Sequence, residues 1–258
     1  ANGINSGGGK GLYPYASLVA PDGEAEILVR DYRLSYVDTA GGGRLLDWHY
    51  RPYNDMDARD VRTDLSDYLL RGALTYTASE VLDIEIRYQF ESQNRRTEDN
   101  RSLESYYTRD LINRYTQPAE PDFVTPIPLG DVVRVSNGST VSHQGRAVLR
   151  HSGKWQRHEL HSIAGWEIKG VVSKTDEQTR YGYRRDGSYV ATGLDHITEF
   201  IQFPNRFAKA RIADDRHIGE TQDRFISVFV NSAYTYAGRY TFSASARKDA
   251  ANLFGVSA

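Results

Sequence analysis

The feature that most constrains this chain is a hydrophobic period of two residues. In 82–90, Leu82, Ile84, Ile86, Tyr88 and Phe90 fall on one face, and Asp83, Glu85, Arg87 and Gln89 on the other. Successive side chains of an extended strand point to opposite faces, so the pattern predicts a strand with one apolar and one polar side. Residues 68–76 set Tyr68, Leu70, Gly72, Leu74 and Tyr76 against Leu69, Arg71, Ala73 and Thr75. Residues 158–169 set Leu160, Ser162, Ala164, Trp166 and Ile168 against Glu159, His161, Ile163, Gly165, Glu167 and Lys169. Ile226, Val228, Val230, Tyr234 and Tyr236 share a face in 225–236, while Tyr240, Phe242, Ala244 and Ala246 oppose Thr241, Ser243, Ser245 and Arg247. A weaker strand at 144–151 has Ala147 and Leu149 opposing Arg146, Val148 and Arg150.

The connections between these strands are unequal. Residues 77–80, 152–156 and 237–239 read as tight hairpin turns, whereas 92–140 and 172–222 are long, polar and punctuated by Gly and Pro. Loops of that length are uncommon in a compact domain. Spanning β-barrels have this asymmetry, with strands of ~9–11 residues, short inner turns and long outer loops. Because lipid offers the backbone no partners, a spanning sheet closes on itself and keeps one face apolar. Tyr76, Trp155, Tyr236 and Tyr240 fall beside the short turns, where an aromatic girdle would lie. A soluble antiparallel sandwich alternates in the same way, and the unequal connections favour the barrel over it.

Composition narrows the classes further. Aromatic residues make up 12% of the chain, with 18 Tyr, which fits a folded protein. A net charge of −2 and scattered Lys and Arg give no support for nucleic-acid binding. With 0 Cys, disulfide scaffolds and Cys-ligated metals are excluded. Neither a signal peptide nor an apolar helix of spanning length is visible.

Five stretches, in order, resemble markers of the SusC/RagA-type TonB-dependent outer-membrane transporters. They are 29–36 (VRDYRLSY), 46–52 (LDWHYRP), 104–117 (ESYYTRDLINRYTQ), 163–167 (IAGWE) and 245–256 (SARKDAANLFGV). The resemblance implies an all-β fold, with antiparallel up-and-down strands forming part of a large transmembrane barrel. It implies active uptake of an oligosaccharide or peptide across a Gram-negative, Bacteroidota-like outer membrane. TonB would drive that uptake, and a SusD-like surface lipoprotein would cap the barrel. Such a protein is no enzyme and takes no cofactor. Members carry a plug domain, a TonB-box and roughly twenty-two strands, so residues 1–258 are expected to be an internal piece of the barrel domain.

Under that resemblance, 104–117 forms part of an extracellular loop facing substrate and lipoprotein. Tyr106, Tyr107 and Tyr115 offer flat faces for sugar rings or apolar side chains, and Arg109, Asn113 and Arg114 offer hydrogen-bonding heads. The same side chains would serve to pack the loop against its neighbours. On the polar faces, Arg71, Arg87, Arg146, Arg150, Lys169 and Arg247 would meet Asp83, Glu85, Glu159 and Glu167 in a wet lumen. That mixed charge suits packing of a plug as well as selection of a substrate.

Other motifs dissolve on inspection. His158 and His161 are three apart on a strand and point to opposite faces, unlike the helical i, i+4 pair of a zinc protease. The run Ser6–Gly11 lacks the first Gly and the final Ser/Thr of a phosphate loop. The acidic residues Asp55, Asp57, Asp60 and Asp64 lack the Gly of a calcium loop, and Asn137-Gly138-Ser139 reads as a turn. Two further readings stand beside active import: a passive porin or structural barrel, and a soluble β-sandwich that binds carbohydrate.

Overall fold

A computed structural model describes residues 12, 14–119, 121–184, 186 and 193–252, so Ser6–Gly11 and the end of the 245–256 marker lie outside it. Short helical turns α1 (Leu34–Val37) and α2 (Pro52–Asp55) precede strands β1 (Arg59–Ser79) and β2 (Leu82–Arg101). Helix α3 (Tyr106–Tyr115) separates these from β3 (Asp131–Trp155) and β4 (His158–Tyr183). A small hairpin, β5 (Phe200–Gln202) and β6 (Asn205–Ala210), precedes β7 (His217–Tyr236) and β8 (Tyr240–Ala251). The long strands form one sheet in the order β1-β2-β3-β4-β7-β8, and the fold is all-β and antiparallel, as the alternation predicts.

Strand length departs from the sequence reading. The strands β1, β2, β3, β4 and β7 run for 21, 20, 25, 26 and 20 residues, about twice what the alternation marked. Stretches read as loop, such as 92–101, 131–140 and 172–183, are regular strand. They carry polar side chains on both faces, and an apolar period disappears when neither face is apolar. Asp64, Asn94, Asn137, Lys174 and Glu220, at two-residue spacing from the apolar rows, line one polar cleft. The true connections are therefore 102–130 and 184–216, and the first of them holds a helix.

The described residues divide into two compact units. One contains the chain up to Thr63, Thr97–Ser136 and Glu177–His217; the other contains Asp64–Arg96, Asn137–Asp176 and the chain from Ile218. Inside the first unit are two buried clusters, Leu28, Trp48, Tyr50 and Tyr106, and Ile112, Tyr115, Ile127, Val132, Tyr181 and Ile212. Gly130 and Gly182 make a close backbone crossing there. A Cβ on Gly130 would come within 2.6 Å of the Gly182 carbonyl carbon, and both glycines have positive φ (151° and 67°).

In the second unit the apolar faces stay open. Val228 is 55% exposed and Phe242 73%, while Ile84 is half-buried. Pairs Val228↔Lys248, Val230↔Ala246, Tyr234↔Phe242 and Tyr236↔Tyr240 put these residues on one side of the β7–β8 ribbon. Tight turns close the hairpins, with Gln156 and Ala237 in the left-handed region at φ 51° and 52°.

Candidate functional site

Helix α3 forms because Ser105 caps it. The Ser105 Oγ accepts from the Thr108 N–H at 3.2 Å, and an Asp55 oxygen accepts from the Tyr106 N–H at 2.7 Å. Those bonds satisfy amides that a helix start leaves without partners. Asp55, one of the acidic residues weighed above for calcium, is partly buried at this helix. Burial pushes its carboxyl up, against the pull of the Tyr106 amide and of Arg109 and Arg30.

The six residues expected to face a substrate divide between packing and exposure. Tyr106 and Asn113 are 4% and 1% exposed. The Tyr106 hydroxyl donates to Asp31 at 3.1 Å, and its ring packs edge-on to Tyr50 while the Arg30 guanidinium lies 5.2 Å from its centre. Asn113 accepts from the Leu46 N–H at 3.0 Å and donates to the Leu46 carbonyl at 2.9 Å, imitating a strand partner. Arg109 donates to the Asp47 carbonyl at 2.8 Å, and the buried Tyr115 donates to the Arg211 carbonyl at 2.6 Å. Arg114 stands 3.0 Å from Asp110. Tyr107 keeps an exposed edge with the Arg101 guanidinium 4.0 Å from its ring centre.

The space beside this helix is nearly filled: a cavity bordered by Leu28, Trp48, Tyr50 and Tyr106 holds about 10 Å³, room for one water at most. Helix α3 is packed, with most of its polar groups spent on its neighbours, and its open side chains are Tyr107 and part of Arg114.

Residues that the sequence reading passed over complete this assembly. Trp48 Nε1 donates to Asp110 at 3.0 Å. Burial raises the Asp110 carboxyl despite Arg114 and that bond. Asp47 takes hydrogen bonds from His49 at 2.6 Å and Arg51 at 2.6 Å, and lies 3.2 Å from Arg109. Partial burial pushes Asp47 up, but these bonds outweigh it and hold the carboxyl well below the usual range. The other ring nitrogen of His49 is 2.8 Å from Asp38. The 46–52 marker carried these residues in sequence, but nothing there showed which side chains meet.

The polar face of the sheet is laced by charge pairs. Arg150 lies 2.6 Å from Glu85, whose other oxygen meets Arg87. Arg71 donates to Gln89 at 3.0 Å. Glu167 takes Arg146 at 2.9 Å and Arg247 at 3.6 Å, and Arg247 also reaches Asp249 at 2.8 Å. Gly165 leaves room for a ring, since a Cβ there would overlap Phe229, over which Arg146 sits. Lys169 borders a groove between strands rather than joining these pairs. His158 meets Trp155 and Tyr234, whereas His161 meets Glu159 and Ser152, so the two imidazoles serve different neighbours. Among the described residues no His, Asp and Glu cluster could hold a metal ion, and no helix is long and apolar enough to cross a membrane.

No family model matches the chain, and no curated protein matches it. Solved structures do. The RagAB peptide transporter matches at TM-score 0.56 and 16% identity over 80% of this chain and 20% of that one. The RagAB peptide importer matches in its "open-open" state at 0.53 and 15% identity, over 79% of this chain and 19% of that one. Its "closed-closed" state matches at 0.58 and 14%, over 90% of this chain and 21% of that one. The chain thus shares the antiparallel all-β fold of a segment of those proteins and spans about a fifth of their length.

Proposed function

We propose that this chain contributes a membrane-spanning stretch to the barrel of an outer-membrane importer for peptides or oligosaccharides. TonB would supply the energy, and a SusD-like surface lipoprotein would assist uptake. The observation that carries this reading is the exposed apolar band. From Ile226 to Tyr236 it covers about 34 Å of strand, or about 26 Å along the membrane normal at a tilt of about 40°, against the ~25 Å such barrels present to lipid. Aromatic residues sit at its turn end, where Trp155 stacks on His158 at 5.6 Å and Tyr240 stays exposed. The opposite face is wet chemistry, with Glu85 and Glu167 each holding two arginines. The likeness to RagAB peptide importers supports the same reading. A soluble carbohydrate-binding sandwich would cover Val228, Val230 and Phe242 with a second layer, yet they are open.

Uptake of labelled oligopeptides and oligosaccharides by cells with the full-length protein, with TonB intact or deleted, tests this. Uptake that depends on both the protein and TonB is expected. Unchanged uptake without TonB would make it a passive pore, and recovery of the protein in the soluble fraction would end the membrane reading.

A further inference from the structure

On the apolar side of the sheet, within the second unit, lies a groove of about 610 Å³. Its walls include Tyr88, His143, Ile168 and Ile226, and its floor passes Gly145 and Gly170. The two glycines matter because they strip the floor to backbone. A Cβ on Gly170 would meet nothing within 4 Å, and one on Gly145 would just touch Ile168 at 3.4 Å. Glycine inside a strand weakens it and often marks a close approach by something else. The Tyr88 hydroxyl and His143 Nδ1 in the wall match each other at 2.7 Å, and Lys169 also borders the groove. What remains is an apolar trench of the size of ligand pockets, ~300–1,000 Å³.

One end of the trench is cationic. Arg224 and Asn252 line it there. The Arg224 N–H donates to Asn252 Oδ1 at 2.7 Å and the Asn252 N–H donates to the Arg224 carbonyl at 3.2 Å, which fixes that rung. The Arg224 guanidinium has no ion-pair partner among the described residues. Lys248, paired with Val228, adds a second cation on this face. Arg224 is twelve residues from Tyr236, about 41 Å of strand and about 31 Å along the normal, just past the ~25 Å apolar band. At that depth lipid phosphates are found.

We propose that this groove seats one acyl chain of an anionic, phosphate-bearing membrane lipid whose headgroup Arg224 holds. The proposal rests on the reading that this face meets hydrocarbon. Charge complementarity selects the occupant: an apolar slot open to the bilayer with an unpaired guanidinium at the headgroup level suits an anionic lipid better than a neutral one.

The test uses full-length protein in nanodiscs of phosphatidylethanolamine doped with phosphatidylglycerol or with phosphatidylcholine. After mild detergent extraction, native mass spectrometry counts retained lipid. Phosphatidylglycerol retention is expected, about fivefold weaker in Arg224→Gln, as the ~1 kcal/mol of one basic residue at an anionic surface requires. Gly170→Leu, which fills open space, should abolish it. Equal retention of phosphatidylcholine, or undiminished retention in both variants, overturns the proposal. A spin label on Val228→Cys separates the two failures. A label in hydrocarbon without lipid retention removes the groove assignment alone. A label in water removes the membrane reading and the groove together.

Discussion

Single side chains in the first unit stand in for missing backbone partners. Asn113 is the clearest, a buried amide matched donor-to-acceptor with both polar groups of Leu46. Removing it in Asn113→Ala strands the partly buried N–H and C=O of Leu46, a loss of ~2 kcal/mol. Deuterium uptake across 44–51 should then speed up by about thirtyfold, at ~1.4 kcal/mol per factor of ten. His49 carries a pH dependence. Both of its nitrogens lie on carboxylate oxygens, Asp38 at 2.8 Å and Asp47 at 2.6 Å, and only an imidazolium can donate both bonds. The Asp38 bond raises its pKa most, against partial burial, with Asp47 adding to the rise. Since the folded value lies above the unfolded one, the bridge contributes fully below about pH 6.5 and is lost as pH climbs through the raised value. Hydrogen exchange of 34–49 should therefore increase across that alkaline window, and His49→Gln should flatten the profile.

At the level of elements, the two faces of β7 predict opposite sensitivities. Val228 lies on the exposed apolar face beside Lys248, and Asn231 faces Ser245 on the other side. Val230→Arg, on the same face and near the middle of the apolar band, should cost ~2–4 kcal/mol of folding into lipid vesicles. Asn231→Arg on the polar face should cost little. Equal losses in a vesicle refolding titration would contradict the assignment of faces. The strands also explain how far the sequence could be read. Period two marked 82–90 and 225–236 because one face there is apolar. It lost 92–101 and 131–140, where polar side chains occupy both faces and the buried Val132, Val133 and Val135 fall on no single alternating row. Helix α3 escaped because its buried face mixes Thr108 and Asn113 with Ile112 and Tyr115, which blurs the apolar stripe. Its start was legible: Ser105 stands three residues before Thr108, and no Gly or Pro interrupts 104–117.

Across the whole molecule, packing and exposure are distributed unequally. Both hydrophobic clusters belong to the unit that holds α3, while the other unit leaves most of its large apolar side chains open. The all-β class, the three hairpins and the greasy face of each strand are written in the order of the residues. Side-chain alternation and turn chemistry are local properties, readable from neighbours a few positions apart. Folding in three dimensions was needed to pair Asn113 with Leu46, 67 residues away, to gather arginines from two strands on Glu167, and to open Gly145 and Gly170 onto one groove. Such meetings depend on strand register and on the path of the connections, which fix partners distant along the chain and leave no period for a sequence to display.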